Sequence, residues 1–108
     1  MNFLATLSNS QVNKIINADS WSACLAYCEG TGLEINSIIK LSSNISVILK
    51  DPTSENCYNV SLKSNSSTTS YSYFVFANDF SSLEMWLDEQ ADTTVVGIQL
   101  TQKSYVTV

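Results

Sequence analysis

The stretch "ADSWSACLAYCEGT", residues 18–31, returns in kind 59 positions later as "ANDFSSLEMWLDEQ", residues 77–90. Each copy opens on small polar residues suited to a helix N-cap, then places an aromatic, a serine and a run of apolar residues at helical spacing. In the first copy Trp21, Cys24, Leu25 and Cys28 fall on one face, with Asp19 or Ser20 as the cap. Gly30 and Gly32 then end the helix, because glycine takes the left-handed closing conformation without a steric penalty. In the second copy Asp79 or Ser81 is the cap, Phe80, Leu83, Trp86 and Leu87 form the buried stripe, and Glu84, Asp88 and Glu89 face water.

The correspondence extends beyond the helices. Laid over one another without a gap, residues 14–49 and 73–108 match Trp21 with Phe80, Cys24 with Leu83, Tyr27 with Trp86, Ile39 with Ile98, Leu41 with Leu100 and Val47 with Val106. Five of the 36 aligned positions are identical, so the stronger signal is phase: a slip of one residue would turn every inward strand residue outward. An internal duplication of a helix-plus-hairpin unit follows, each helix anchored on its sheet by Trp21 or Phe80. A helix with one apolar stripe and a hairpin with one apolar face bury both surfaces by packing together.

The strands are read from alternation. "LEINSIIKL" and "ISVILK", joined by "SSN", predict a hairpin over residues 33–50, and "TTVVGIQL" with "SYVTV" predicts a second one turning at Gln102 and Lys103. Asp51 and Pro52 make a turn before a strand over residues 57–63, with Tyr58, Val60 and Leu62 on one face. "SNSSTTS", residues 64–70, reads as a mobile hairpin loop. "YSYFVFA" follows, apolar on both faces and therefore in need of cover on both, as a central strand or through a partner. Over residues 8–17 two readings stand. Val12, Ile15 and Ile16 behind Ser8 or Ser10 suit a short helix, whereas the repeat puts a strand there.

The expected architecture is a single α+β domain over residues 1–108: a mainly antiparallel sheet of five to six strands with two amphipathic helices packed on it. One core suits 108 residues, and 44% apolar content is ordinary for a folded chain. Ser, Thr and Asn supply 37 residues while charged residues make up 14%, a composition that leans towards strands, turns and caps.

The charged residues narrow the function. Ten acids, five lysines, no arginine and no histidine argue against a direct nucleic-acid reader, which needs a basic surface. No apolar run reaches the ~18 residues of a membrane span, and "MNFLATLSNS" has neither a basic leader nor a long enough apolar core for a signal peptide. The expectation is a protein of the virion or host cytoplasm, not secreted through a signal peptide. The Asn-x-Ser sequons at Asn44, Asn59 and Asn65 then read as products of composition.

Catalytic equipment is not evident. Cys24, Cys28 and Cys57 invite a thiolate zinc site, but histidine and paired Cys-x-x-Cys spacing are absent, so core packing is the favoured role. Glu84, Asp88, Glu89 and Asp92 lack the loop pattern of a calcium site and read as a solvated face. Nucleophilic catalysis of the Ser-His or Cys-His kind lacks its base, and the glycines at 30, 32 and 97 form no phosphate cradle. No enzyme activity, cofactor or metal is expected.

Protein contact is the remaining chemistry. Tyr71, Tyr73, Phe74 and Phe76 serve either the core or a contact surface, and Tyr105, Val106 and Val108 lie in a terminal strand with no charged tail to blunt its edge. In its Ser/Thr/Asn richness, low charge, β-leaning pattern and lack of catalytic residues, the whole chain resembles small structural or accessory proteins of tailed-bacteriophage particles. That resemblance implies a homo-oligomer or a site among virion proteins, with "YSYFVFA", "MNFLATL" and the C-terminal strand as contacts and no direct nucleic-acid or membrane partner. Two readings compete with it: a small acidic inhibitor that occupies the basic groove of a host nucleic-acid enzyme, and a small-molecule binding domain with a pocket between helix and sheet.

Overall fold

A computed structural model of the chain describes residues 1–8 and 12–108. Along the described residues the elements are β1 (Asn2–Leu7), β2 (Asn13–Asn17), α1 (Trp21–Thr31), β3 (Ile35–Lys40), β4 (Ile45–Leu49), β5 (Asn56–Ser64), β6 (Ser70–Phe76), α2 (Phe80–Asp88) and β7 (Thr93–Thr107). The fold is mixed α+β, with two helices and seven strands among these residues. The chain divides into two compact units, Met1–Ser42 with Lys103–Val108, and Ser43–Gln102. β7 contributes to both, residues 93–102 to the second unit and residues 103–107 to the first.

In the first unit β1 and β2 form an antiparallel hairpin with Phe3 opposite Ile16, and β3 lies antiparallel on the other edge of β1. The sheet order is β3-β1-β2-β7, the last pair parallel. α1 begins at Ser20, whose hydroxyl accepts the Ala23 N–H at 3.1 Å, and ends at Gly32, left-handed at φ 65°, whose N–H reaches the Cys28 and Glu29 carbonyls. The helix returns the chain to the starting end of the sheet, so β3 can run parallel to β2 with β1 between them; a tight turn cannot make that connection. Phe3, Ala5 and Leu7, alternate residues of β1, are buried with Ile16, Ala18, Cys24 and Cys28, and Tyr27, Leu33, Ile35, Ile38 and Val106 pack around them. Trp21 meets the Phe3 ring edge-on at 4.7 Å.

The second unit repeats this plan. β5 and β6 form an antiparallel hairpin with Val60 opposite Tyr73, residues 93–102 of β7 lie antiparallel on the other edge of β5, and β4 lies parallel beside β6. α2 begins at Asp79, whose carboxylate accepts the Ser82 N–H at 2.9 Å. Its Leu83 and Trp86 are buried against Tyr58, Val60, Leu62, Val75 and Ala77, with Ile48, Tyr73 and Leu87 at the margin. Full burial of a side chain of this size contributes about 1.5–3 kcal/mol relative to exposure. Asp51 accepts the Asn78 N–H at 2.8 Å, Ser54 donates to the Ala77 carbonyl at 3.1 Å and Asn56 donates to the Asn78 carbonyl at 2.8 Å. Those bonds tie the turn before β5 to the joint between β6 and α2.

Both units therefore share one connectivity: a hairpin, a helix, a strand across the first strand of the hairpin, and a fourth strand parallel to the second. The registers agree in detail. Ala5 faces Lys14 and Ile38, and Val60 faces Tyr73 and Ile98, so Ala5 corresponds to Val60 and Ile38 to Ile98. The ladder of β1 with β3 shifts between Thr6 and Leu7, and that of β5 with β7 shifts between Ser61 and Leu62, the corresponding pair of residues. Trp21 on Phe3 likewise corresponds to Phe80 on Tyr58, whose centroids lie 5.6 Å apart.

The sequence expectation is corrected in several places. The strands number seven rather than five to six, and the pairing is mixed, because β2 with β7 and β4 with β6 are parallel. Neither expected hairpin forms: β3 pairs with β1 and β4 with β6, while β7 runs straight through Gln102 and Lys103. "QK" carries no glycine or other left-handed former to drive a two-residue turn. Within "MNFLATL" Asn2–Leu7 is a strand paired on both edges, and of the two readings left open over residues 8–17 the strand holds, over Asn13–Asn17. The suggested cap Ser10 lies outside the described residues. The gap-free match also slips in the strands, where Ile38, not Ile39, corresponds to Ile98, and Ile48, not Val47, corresponds to Val106. Finally, Trp21 and Phe80 do not seat the helices in the core. Trp21 is half-exposed, Phe80 is mostly exposed and Leu25 faces water, while Cys24, Cys28, Leu83 and Trp86 make the buried contacts.

Candidate protein-contact surface

The corresponding outer strands, β3 in the first unit and residues 93–102 of β7 in the second, treat the same positions differently. In the first unit Ile35 and Ile38 pack at the margin of the core under α1. Their counterparts Val95 and Ile98 stand opposite Leu62 and Val60, in the row that leads out of the second core, yet are 44% and 43% exposed. Leu100, opposite Tyr58, is 50% exposed, and Val96, the extra residue where the ladder shifts, is 67% exposed. α2 covers β5 and β6 through Leu83 and Trp86, and the core it forms includes no residue of β7.

Side-chain chemistry differs in the same direction. Val96 corresponds to Asn36 and Leu100 to Lys40, so polar and charged positions in one unit are apolar in the other. Residues 93–102 contain no charge and no proline, so of the devices that blunt a sheet edge this stretch carries the irregularity at Val96. Among the described residues, the edge of β7 away from β5 carries no strand pairing over residues 93–100. Phe80, 69% exposed, packs on Tyr58, the ladder partner of Leu100, and extends the apolar surface onto α2. Burial, and secondarily the nearby Asp79 charge, raises the Tyr58 hydroxyl above its ordinary pKa.

The residues singled out from the sequence are scattered by comparison. Tyr71 and Val108 are exposed, Tyr73 stacks edge-on against Trp86 at 5.0 Å, and Phe74 and Phe76 are buried. Tyr105 is partly buried, and Val106 packs at the margin of the first core. The row of Val95, Val96, Ile98 and Leu100 was not among them. Its signal was a ten-residue window without charge, obscured because a turn was assigned at its end.

Other constellations have quieter geometry. Cys24, Cys28 and Cys57 are buried and form no disulfide, and burial, reinforced by Cys28, pushes the Cys24 thiol up. Glu84, Asp88, Glu89 and Asp92 are exposed. Among the described residues no group of three or more His, Cys, Asp or Glu side chains is placed to hold a metal ion, and no helix is long and apolar enough to cross a membrane. Comparison with protein-family models, with curated proteins and with solved structures finds no match to this chain.

Proposed function

We propose that this protein is a non-enzymatic structural or assembly component that acts through protein–protein contacts, as a small part of a bacteriophage particle in the virion or the host cytoplasm. The observation that carries the reading is the uncharged outer stretch of β7, whose Val95, Val96, Ile98 and Leu100 are exposed where the matching strand of the first unit is packed or polar. A sheet edge of this kind offers backbone hydrogen bonds together with apolar pockets, the two parts of strand addition. A contiguous apolar surface on an otherwise polar, acidic protein marks a contact site more readily than a catalytic one. Mass spectrometry of particles purified from the source tests the reading: the chain should be recovered at a fixed ratio to the major structural proteins. Its absence from washed particles would remove the virion role.

A further inference from the structure

We infer that the shelf between β7 and α2 takes an extended segment of a partner protein, apolar at its centre and basic at both ends, added as a strand along residues 93–100. This inference rests on the assembly reading and names the chemistry of the partner. Val95, Ile98 and Leu100 stand opposite Leu62, Val60 and Tyr58, and directly opposed residues of an antiparallel ladder point to one face, so the three continue the row that α2 covers on β5. They form a floor beside α2 that the helix leaves exposed. Phe80 packs on Tyr58 at the Leu100 end of that floor, and Glu84, one helical turn on, lies on the same side of α2. The opposite side of the helix meets β6 through Trp86 and Tyr73.

Charge at the rim selects the occupant. Met1–Ser42 with Lys103–Val108 holds three acids and three lysines, whereas Ser43–Gln102 holds seven acids and two lysines, so the whole net charge of -5 falls in the second unit. Between residues 64 and 102 there are five acids and no base, and Lys63, opposite Thr94, points to the face away from α2. The floor itself is uncharged and the acids stand at its ends: exposed Asp92 just before Thr93 at one, exposed Asp79 and Glu84 around Phe80 at the other. A segment with an apolar centre and lysine or arginine at each end matches every part of that pattern. A second copy does not, because it would bring the same acids against themselves.

Two synthetic peptides test the match: one of alternating valine and threonine with a pair of lysines at each end, and the same peptide with glutamate in place of every lysine. Fluorescence anisotropy with the whole protein at ~20 mM salt should give the lysine peptide a Kd below about 0.2 mM, weakened at least threefold by ~0.3 M salt, and should show no binding of the glutamate peptide. Ile98→Lys, in the middle of the floor, and Glu84→Lys, at its rim, should each weaken the lysine peptide at least fivefold. Glu29→Lys, the same charge change at an exposed position of α1, should weaken it less than twofold. Circular dichroism checks folding, and Glu84→Lys, exposed on its helix, carries the test if Ile98→Lys does not fold. Equal binding of the two peptides, an affinity unchanged in Glu84→Lys, or an equal loss in Glu29→Lys overturns the inference. So does a wild type that sedimentation equilibrium finds dimeric and whose dimer excludes the lysine peptide, which would assign the shelf to a second copy. Lysine-peptide binding by a chain that is missing from purified particles would end the assembly reading and keep the shelf. A chain recovered from particles that binds neither peptide would do the reverse.

Discussion

Leu83→Ala, compared with Leu25→Ala, isolates what burial contributes to this fold. Both substitutions delete the same atoms from a helix, but Leu83 is 2% exposed beneath α2 and Leu25 is 50% exposed on α1. At about 0.8 kcal/mol per methylene, the transfer loss at Leu83 is roughly 2–2.5 kcal/mol. An unrelaxed cavity of roughly 60 Å³ adds about 1.5 kcal/mol at ~24 cal/mol per Å³, and partial collapse of Val60, Leu62 and Trp86 around it brings the expected cost to about 3 kcal/mol. Leu25 opens no cavity, loses at most half of the transfer term and recovers a little helix propensity, so its cost stays below about 1 kcal/mol. Urea unfolding followed by circular dichroism reads both values, and 3 kcal/mol is a midpoint shift of roughly 1–3 M in a small domain. Equal losses at the two leucines, or a larger one at Leu25, would refute the assignment of the buried helix faces.

Three further outcomes are expected. Trp21→Phe and Trp86→Phe each leave one tryptophan, in the second and the first unit respectively, so the fluorescence of each variant should follow a single urea transition of its own unit; a two-step transition in either would contradict one cooperative core per unit. The Asn78 N–H and then the Ser82 hydroxyl hold the Asp51 carboxyl below its ordinary 3.8. Its contribution is therefore present above the unfolded pKa and lost as pH falls through the folded one, so the stability gap between wild type and Asp51→Asn should close below about pH 4; a gap independent of pH contradicts the bond. Cys24, Cys28 and Cys57 should resist a thiol reagent in the native protein and all react in urea, whereas native labelling at the rate of a free thiol would place one of them at the surface.

Much of the local structure was legible in the sequence because it is set by neighbours along the chain. Ser20 and Asp79 as caps, Gly32 as the closing residue and the Tyr58, Val60, Leu62 face all follow from hydrogen-bonding side chains, a left-handed turn or period-two alternation. The matching phase of the two helices was legible too, although the helix-plus-hairpin unit read from it does not form. Strand partners were not, since alternation says which face is buried and nothing about which edge is paired. "MNFLATL" alternates well enough for a strand, yet was assigned to no element, and that left β3 without its true partner. The helix faces were misjudged for a related reason. Spacing puts Trp21, Leu25 and Phe80 within reach of an apolar stripe, but each helix buries only a narrow one, Cys24 and Cys28 in α1 and Leu83 and Trp86 in α2, so Leu25 faces water while Trp21 and Phe80, the first residue of each helix, pack on Phe3 and Tyr58 at the rim. The candidate surface depends on a register shift and on a contrast between the two units, neither of which exists before the pairing is known.

Residue-resolved amide exchange along β7, measured on the isolated protein in dilute solution and on the protein within purified particles, tests the docking role of this edge most directly. In dilute solution alternate amides over residues 93–100 should exchange quickly, since every second N–H of an edge strand points away from its single neighbour. Within purified particles the same amides should become protected as the edge is paired. Outward amides that are slow already in dilute solution, or that stay fast within the particle, would contradict an open edge that takes up a strand.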